Sequence, residues 1–248
     1  MIRPLTFKVS RTPLLTEHIL QRLVAALLTV YCIAQVVTIV TRIASGADLD
    51  SATGSMAMIQ ANHAWYMASK IANLVAAFLL LAAAVLLYQT FRPFDRALAL
   101  LAASFLATAA LFWLFSSLAG LAIAENLGGF SGPTATYPQL EASSQLATYQ
   151  AIEPVRAIAG RVGFTAAALA LAFLSVLVVL ARPISHWFGW AGLVTAVAML
   201  FIWDPEASLM HRLGGAALLA WFMGLAGRLA LKGVDIPGRE TEPITDDN

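Results

Sequence analysis

The sequence predicts an all-α integral membrane protein, a bundle of six transmembrane helices. Three observations predict this class. Of the 248 residues, 60% are hydrophobic and 12% are charged, whereas a soluble domain is about 45–50% apolar and about 25% charged. The 15 Lys and Arg and the 14 Asp and Glu residues are too few to cover a water-facing surface of this size. Six segments also carry the roughly 20 apolar residues that a helix needs to cross about 30 Å of hydrocarbon.

The six apolar segments are the predicted spans, and they alternate with short polar connections. The first of them is too long for the apolar region of a cleaved signal peptide, so we expect a retained first helix. In chain order the predicted spans are Leu23–Ala44, Ala64–Thr90, Ala97–Ala124, Ala157–Ala181, Trp187–Trp203 and Leu209–Leu231.

The remaining segments complete the predicted domain organisation. Residues 1–22 form a leader that contains the amphipathic start of the first helix, and residues 23–231 form the six-helix membrane domain. Residues 125–154 form a long outer loop, in which Gln139–Ile152 has enough helix formers for a short interfacial helix. Residues 232–248 are expected to be a disordered acidic tail.

The distribution of Lys and Arg predicts the orientation, because positively charged segments resist translocation. Ten lie on the side that carries both termini and five lie on the other side. We therefore expect a bacterial inner-membrane protein with cytoplasmic N and C termini. The ten are Arg3, Lys8, Arg11, Arg22, Arg92, Arg96, Arg182, Arg228, Lys232 and Arg239, and the five are Arg42, Lys70, Arg156, Arg161 and Arg212.

Lys70 is the clearest candidate for a functional residue, since an ionisable group within a span is costly and needs a partner. His63, Tyr66, Lys70 and Asn73 recur at helical spacing and so share one face of the second span. Outer-side carboxylates are its candidate partners, and further outer polar residues complete the set. The carboxylates are Glu125, Glu153, Asp204 and Glu206, and the further residues are Arg156, Arg161, His211 and Arg212.

Two interpretations of this outer polar set remain open. In the first, it lines a cavity that binds a small anionic or amphipathic ligand. In the second, it consists of structural salt bridges and of cationic side chains that reach the headgroups. Both describe a non-enzymatic membrane protein, either a ligand binder or an accessory subunit of a larger assembly. The expected partners are the lipid bilayer and other membrane subunits.

The four histidines support an alternative, a b-type haem or quinone-linked redox protein. His63 and His211 lie at the outer boundary, whereas His18 and His186 lie at the inner one, and paired imidazoles can ligate a haem. Their positions at the span boundaries, and not one or two turns inside, disfavour haem. We therefore predict no cofactor. Because no two histidines are spaced i, i+4, we also predict no metal.

A secondary transporter is a further alternative, because Arg92-Pro93 and Arg182-Pro183 end two spans in a similar pattern that a duplicated hairpin would leave. The spans have no internal proline of the kind that breaks transporter helices.

Other activities find no support in the sequence. It has no GxSxG, HExxH, Walker or dinucleotide-binding motif, and so we predict no catalytic residue. The only cysteine, Cys32, lies in an apolar run and excludes an intramolecular disulfide. A net charge of +1 without a basic stripe excludes a nucleic-acid partner.

Small residues at helical spacing predict close helix contacts. The pairs Ser116 with Gly120, Ala159 with Gly163, and Ala220 with Gly224 follow the small-xxx-small pattern. Such pairs let helix backbones approach where lipid supplies no hydrophobic driving force. We expect them to serve packing within the bundle ahead of dimerisation.

The connection between the second and third spans carries a resemblance to a known family. The letters LLY at 86–88 are followed by Arg92-Pro93 and by ALALLA at 97–102. This stretch resembles an uncharacterised family of bacterial multi-pass membrane proteins, a domain of unknown function. Ile184–Leu193 is similar to the segment that enters the penultimate helix of that family. The resemblance implies the architecture alone and brings no activity, cofactor or site residue.

Overall fold

The computed structural model describes residues 14–47, 51–128, 138–204 and 206–234. Within these ranges the chain forms seven α-helices and one short 3-10 helix, and no described residue forms a strand. The helices are α1 (Leu14–Ser45), α2 (Ala52–Ala61), α3 (His63–Phe91), α4 (Arg96–Gly128), α5 (Pro138–Ala181), α6 (His186–Leu200) and α7 (Ser208–Leu231), and the 3-10 helix Phe201–Trp203 follows α6.

Six of the helices, all except α2, are long and apolar enough to cross a membrane. This confirms the predicted all-α, multi-pass membrane protein. The second predicted span, Ala64–Thr90, differs from α3 by one residue at each end. The start of the leader, the tail from residue 235 and the middle of the predicted outer loop, residues 129–137, lie outside the described residues.

Local signals in the sequence explain where several helices begin and end. The Ser51 side chain accepts a hydrogen bond from the Gly54 amide at 3.1 Å and so caps the start of α2. At the start of α4, Asp95 Oδ1 accepts hydrogen bonds from the amides of Ala97 and Leu98, both at 2.9 Å. The helix α5 ends at Ala181, immediately before Arg182 and its following proline, and Arg182 adopts a left-handed φ of 53°.

The six spans form a closed ring. Each span packs against the spans that precede and follow it in sequence, and α7 packs against α1 to complete the circuit. The interior is filled by small and branched side chains, among them Ala76, Ala83, Leu171 and Phe222. An apolar pocket between α3, α4, α5 and α7 has a volume of about 10 Å³ and is therefore a packing void, too small for an organic ligand.

Glycines bring neighbouring spans together, as the small-residue pattern predicts. A Cβ added to Gly163 would lie 2.6 Å from the Trp113 indole, and one on Gly224 would lie 2.9 Å from the Phe188 ring. The packing within the bundle is therefore confirmed for these positions. The Gly214 backbone approaches α6 so closely that an added Cβ would lie 2.9 Å from the Met199 backbone nitrogen.

The structure corrects the prediction of an outer loop over residues 125–154, because two helices include residues of this range. The helix α4 continues through Gly128, and α5 is one helix of 44 residues that includes Pro154, so the expected Gln139–Ile152 helix is continuous with the fourth span. At 1.5 Å per residue α5 is about 66 Å long, roughly twice the hydrocarbon thickness of a bilayer. About half of α5 therefore extends beyond the length that a span needs.

The extension of α5 is held by a second, smaller apolar cluster. Helix α2, which the sequence did not predict, packs with the start of α3, the end of α4 and the first half of α5. We call this part of the molecule the α2 end of the bundle. Its buried residues are Met56, Ile59, Tyr66, Ile123, Ala124, Leu127 and Tyr149.

Candidate functional site

Lys70 is a buried cation within a membrane span. It lies in the third turn of α3, and only 7% of its surface is exposed. Its Nζ lies 4.6 Å from the centroid of the Tyr66 ring, one turn earlier on the same helix. This cation–π contact follows from the i, i+4 spacing that the sequence shows, and it directs the ammonium group toward the α2 end.

The stem of Lys70 lies on a glycine of the neighbouring helix. A Cβ added to Gly120 of α4 would lie 2.7 Å from Lys70 Cδ and 2.8 Å from Cε. The glycine of the predicted small pair thus gives room for the alkyl chain and lets α3 and α4 pack around it.

Charged and phenolic side chains of two other helices act electrostatically on the Tyr66 hydroxyl. They are Tyr149, Glu153 and Arg156 of α5 and the exposed Arg42 in the last turn of α1. We define the Tyr66–Lys70 cluster as these residues together. Its members are Arg42, Tyr66, Lys70, Tyr149, Glu153 and Arg156.

Glu153 and Arg156 form a bidentate ion pair within this cluster. Arg156 Nε donates to Glu153 Oε2 at 2.6 Å, and Arg156 Nη2 donates to Glu153 Oε1 at 2.5 Å. The Arg156 side chain is 15% exposed and that of Glu153 is 26% exposed. Such a fork is the strong, oriented form of a charge-assisted hydrogen bond.

A chain of hydrogen bonds lies one turn deeper in the bundle and connects three spans. Gln35 of α1 donates to Asn73 Oδ1 at 3.1 Å, and Asn73 donates to Ser117 Oγ of α4 at 2.7 Å. Ser117 in turn donates to the Trp113 carbonyl at 2.8 Å. Beyond Asn73, the buried residues of α3 from Ala76 to Leu87 are all apolar. Along α3, buried polar residues are therefore absent between Asn73 and Thr90.

Two further buried serines are sequence neighbours of Ser117 and of Lys70. Ser116 donates to the Arg156 carbonyl at 3.0 Å and so connects α4 to α5 beside the ion pair. Ser69, next to Lys70 in sequence, is 1% exposed, and its hydroxyl has no hydrogen-bond partner among the described residues. A buried hydroxyl without a partner has a cost that a polar ligand would remove.

The other residues of the predicted outer set are not members of this cluster. His63 Nε2 lies 3.1 Å from the Ala124 carbonyl and forms a contact between α3 and α4. Glu125 is exposed in the last turn of α4. Arg161 is exposed and lies over the Trp203 ring at 5.9 Å, on a different part of α5 from Arg156. His211 lies in α7, and its side chain is outside the described part of the structure.

The histidines are spread over separate helices. His18 and His186 are both exposed, at the starts of α1 and α6, and the His186 ring contacts Trp187. In the described ranges no group of three or more His, Cys, Asp or Glu residues is placed to hold a metal ion. Asp204 and Glu206, two of the candidate partners of Lys70, are also exposed.

Two members of the cluster, Arg42 and Tyr149, were not selected as site residues from the sequence. Gln35 and Ser117, the hydrogen-bond partners of Asn73, were not selected either. One signal was available for α5. Tyr149, Glu153 and Arg156 are spaced four and three residues apart, which places them on one face if the helix continues through Pro154.

Comparison with known families agrees with the resemblance found in the sequence. Residues 20–233 match the model of a family described as a domain of unknown function, DUF4386. The chain belongs to the DUF4386 family. No curated protein and no solved structure matches it. The match covers all six spans of the DUF4386 protein and the Tyr66–Lys70 cluster, but the family assigns them no activity.

Proposed function

We propose that this DUF4386 protein is a non-enzymatic membrane protein that binds a small anionic, amphipathic ligand at the Tyr66–Lys70 cluster. The observation that carries the proposal is the burial of Lys70 inside a span. A buried cation is costly in a membrane, and such residues typically mark ligand or ion sites.

The charges of the cluster favour an anion. Among its described members, Arg42, Lys70 and Arg156 are cationic and Glu153 is acidic. The two tyrosines add hydroxyl groups that can donate hydrogen bonds to an acidic group. Cationic and phenolic groups of this kind suit a carboxylate or a phosphate.

The surroundings of the cluster favour an amphipathic molecule. Beside it lies the apolar cluster of the α2 end, with Met56 and Ile59. The polar chain of Gln35, Asn73 and Ser117, by contrast, separates it from the apolar interior of the spans. An acidic head would contact the Tyr66–Lys70 cluster, and an apolar body would contact the α2 end. From the Lys and Arg distribution we further propose that the α2 end faces the periplasm, in a bacterial inner membrane with cytoplasmic termini.

The proposal is tested by the effect of amphiphiles on thermal stability. Oleate and phosphatidylglycerol, with neutral phosphatidylcholine as the control lipid, are added to purified protein in a mild detergent. A ligand at 100 times its dissociation constant stabilises by about 2.7 kcal/mol. For a chain of this size this corresponds to a melting temperature about 5–10 °C higher.

Two variants assign the effect to the cluster. Lys70→Met keeps the alkyl stem on Gly120 but removes the charge, and we expect it to fold and to lose the stabilisation by anionic amphiphiles. Lys232→Gln removes an exposed cation just after α7 and should respond like the wild type. The proposal fails if neither anionic amphiphile stabilises the wild type, or if Lys70→Met responds as strongly as Lys232→Gln.

A further inference from the structure

The two residues of the Glu153–Arg156 ion pair lie on opposite sides of Pro154 in the sequence. Pro154 has no amide hydrogen, so it cannot donate to the Gln150 carbonyl, and α5 lacks one backbone hydrogen bond at this point. Glu153 is therefore attached to a weakened turn of the helix, while Arg156 belongs to the turn that Ser116 holds through the Arg156 carbonyl.

Arg156 holds the Glu153 carboxylate in the same geometry in which an arginine binds an acidic ligand. Two parallel hydrogen bonds from a guanidinium to a carboxylate are the arrangement in which arginine recognises a free carboxylate or a phosphate. The Glu153 carboxylate occupies this position and acts electrostatically on Tyr66. The Tyr66 ring in turn contacts the Lys70 ammonium group. The same position is accessible from outside, because both side chains of the pair are partly exposed.

We propose that Arg156 recognises the acidic head group of the ligand and that Glu153 is a tethered competitor for the same position. This inference rests on the proposed function and names its ligand class, an amphiphile whose head is a carboxylate or a phosphate. In the absence of ligand, Glu153 satisfies the guanidinium. Ligand binding exchanges the Glu153 carboxylate for the head group, and Glu153 turns to solvent.

The test measures binding by native mass spectrometry of the full chain in detergent. Oleate provides a carboxylate head, oleoyl lysophosphatidic acid provides a phosphate head, and monoolein is the neutral control. The two acidic probes distinguish the two head groups. Glu153→Gln removes the competing charge, and we expect it to bind at least one acidic probe about 2- to 5-fold more tightly, as the release of a partly exposed ion pair allows.

Three further variants complete the test. Arg156→Gln should bind the acidic probes more weakly than the wild type, and the double variant should resemble Arg156→Gln, because Glu153 then has nothing to compete for. Glu206→Gln removes an exposed carboxylate between α6 and α7 and should bind like the wild type. If Glu153→Gln does not fold, Glu153→Asp replaces it, since the shorter side chain also reaches the guanidinium less well.

The outcomes separate this inference from the proposed function. Unchanged or weaker binding by Glu153→Gln, or wild-type binding by Arg156→Gln, overturns the role of the ion pair, while binding that depends on Lys70 would still support the site. If the wild type binds neither acidic probe, the proposed function itself is wrong.

Discussion

The approach of α7 to α6 at Gly214 leads to a prediction with an internal control. A Cβ on Gly214 would lie 2.9 Å from the Met199 nitrogen and 3.0 Å from the Ala198 carbonyl carbon, both backbone atoms that cannot rotate away. A Cβ on Gly227 of the same helix would meet nothing within 4 Å. Gly214→Ala and Gly227→Ala therefore make the same chemical change in two different environments.

The expected magnitude follows from the two environments. Replacing Gly by Ala in a helix favours the helix by about 0.8–1.0 kcal/mol, and this gain is common to both variants. Overpacking at Gly214 costs about 1–3 kcal/mol in addition. At about 2–4 °C per kcal/mol, Gly214→Ala should melt about 2–12 °C below Gly227→Ala.

The buried Cys32 can report the thermal unfolding of both variants. Cys32 is the only cysteine and is buried in α1, so a dye that fluoresces on reaction with a thiol reports the unfolding of the bundle. Gly227→Ala should melt at or above the wild-type temperature. If the two variants melt together, α6 and α7 do not approach as closely as the structure shows.

Three other predictions test the interior, the topology and the cofactor content. Asn73→Ala leaves the Gln35 amide and the Ser117 hydroxyl without their partner and should cost about 1 kcal/mol or more in the same melting assay; Thr108→Ala, which removes a hydrogen bond within one helix, should cost less. In a Cys32→Ser background, a membrane-impermeant thiol reagent on intact cells should label Ser144→Cys and should label Ser185→Cys only after permeabilisation; labelling of both or of neither would contradict the proposed orientation. The purified protein should show no Soret absorption, and a band with reduced-minus-oxidised α peaks would establish the haem alternative instead.

The spans could be predicted from the sequence because hydropathy is a sum over many residues and tolerates local exceptions. The boundaries of α3 were predicted to within one residue for this reason, and Arg92-Pro93 and Arg182-Pro183 marked the ends of their helices. Helix α2 was missed because its ten residues are too few to span a membrane.

The course of α5 could not be predicted from local preferences. A proline inside a helix is unfavourable on its own, so Pro154 indicated the end of a loop. In the structure, contacts of Leu146, Tyr149 and Ile152 with the apolar cluster of the α2 end favour the helix on the other side of the proline. Tertiary packing of this kind overrides helix propensity and is not visible in a single sequence.

The candidate site, like the fold, could be predicted only in part from the sequence. The buried cation and the face shared by Tyr66, Lys70 and Asn73 follow from helical spacing alone. The proximity of Arg42 depends on α1 packing beside α3, and that of Glu153 and Arg156 depends on how α5 packs against α4. Which spans are neighbours is a property of the assembled bundle, so these members of the cluster required the structure.

Because α7 contacts α1, each of the six described spans has a neighbour on both sides. A Cβ on Gly233, just after α7, would lie 2.5 Å from Gln21 Oε1 in α1, so the end of α7 lies beside the start of α1. The order of neighbours would therefore survive if these two points were joined and the chain were cut between α4 and α5. The fold is in this sense a circle of helices. If the chain were cut between α4 and α5 without that join, the two fragments would meet along two seams, α4 with α5 and α7 with α1.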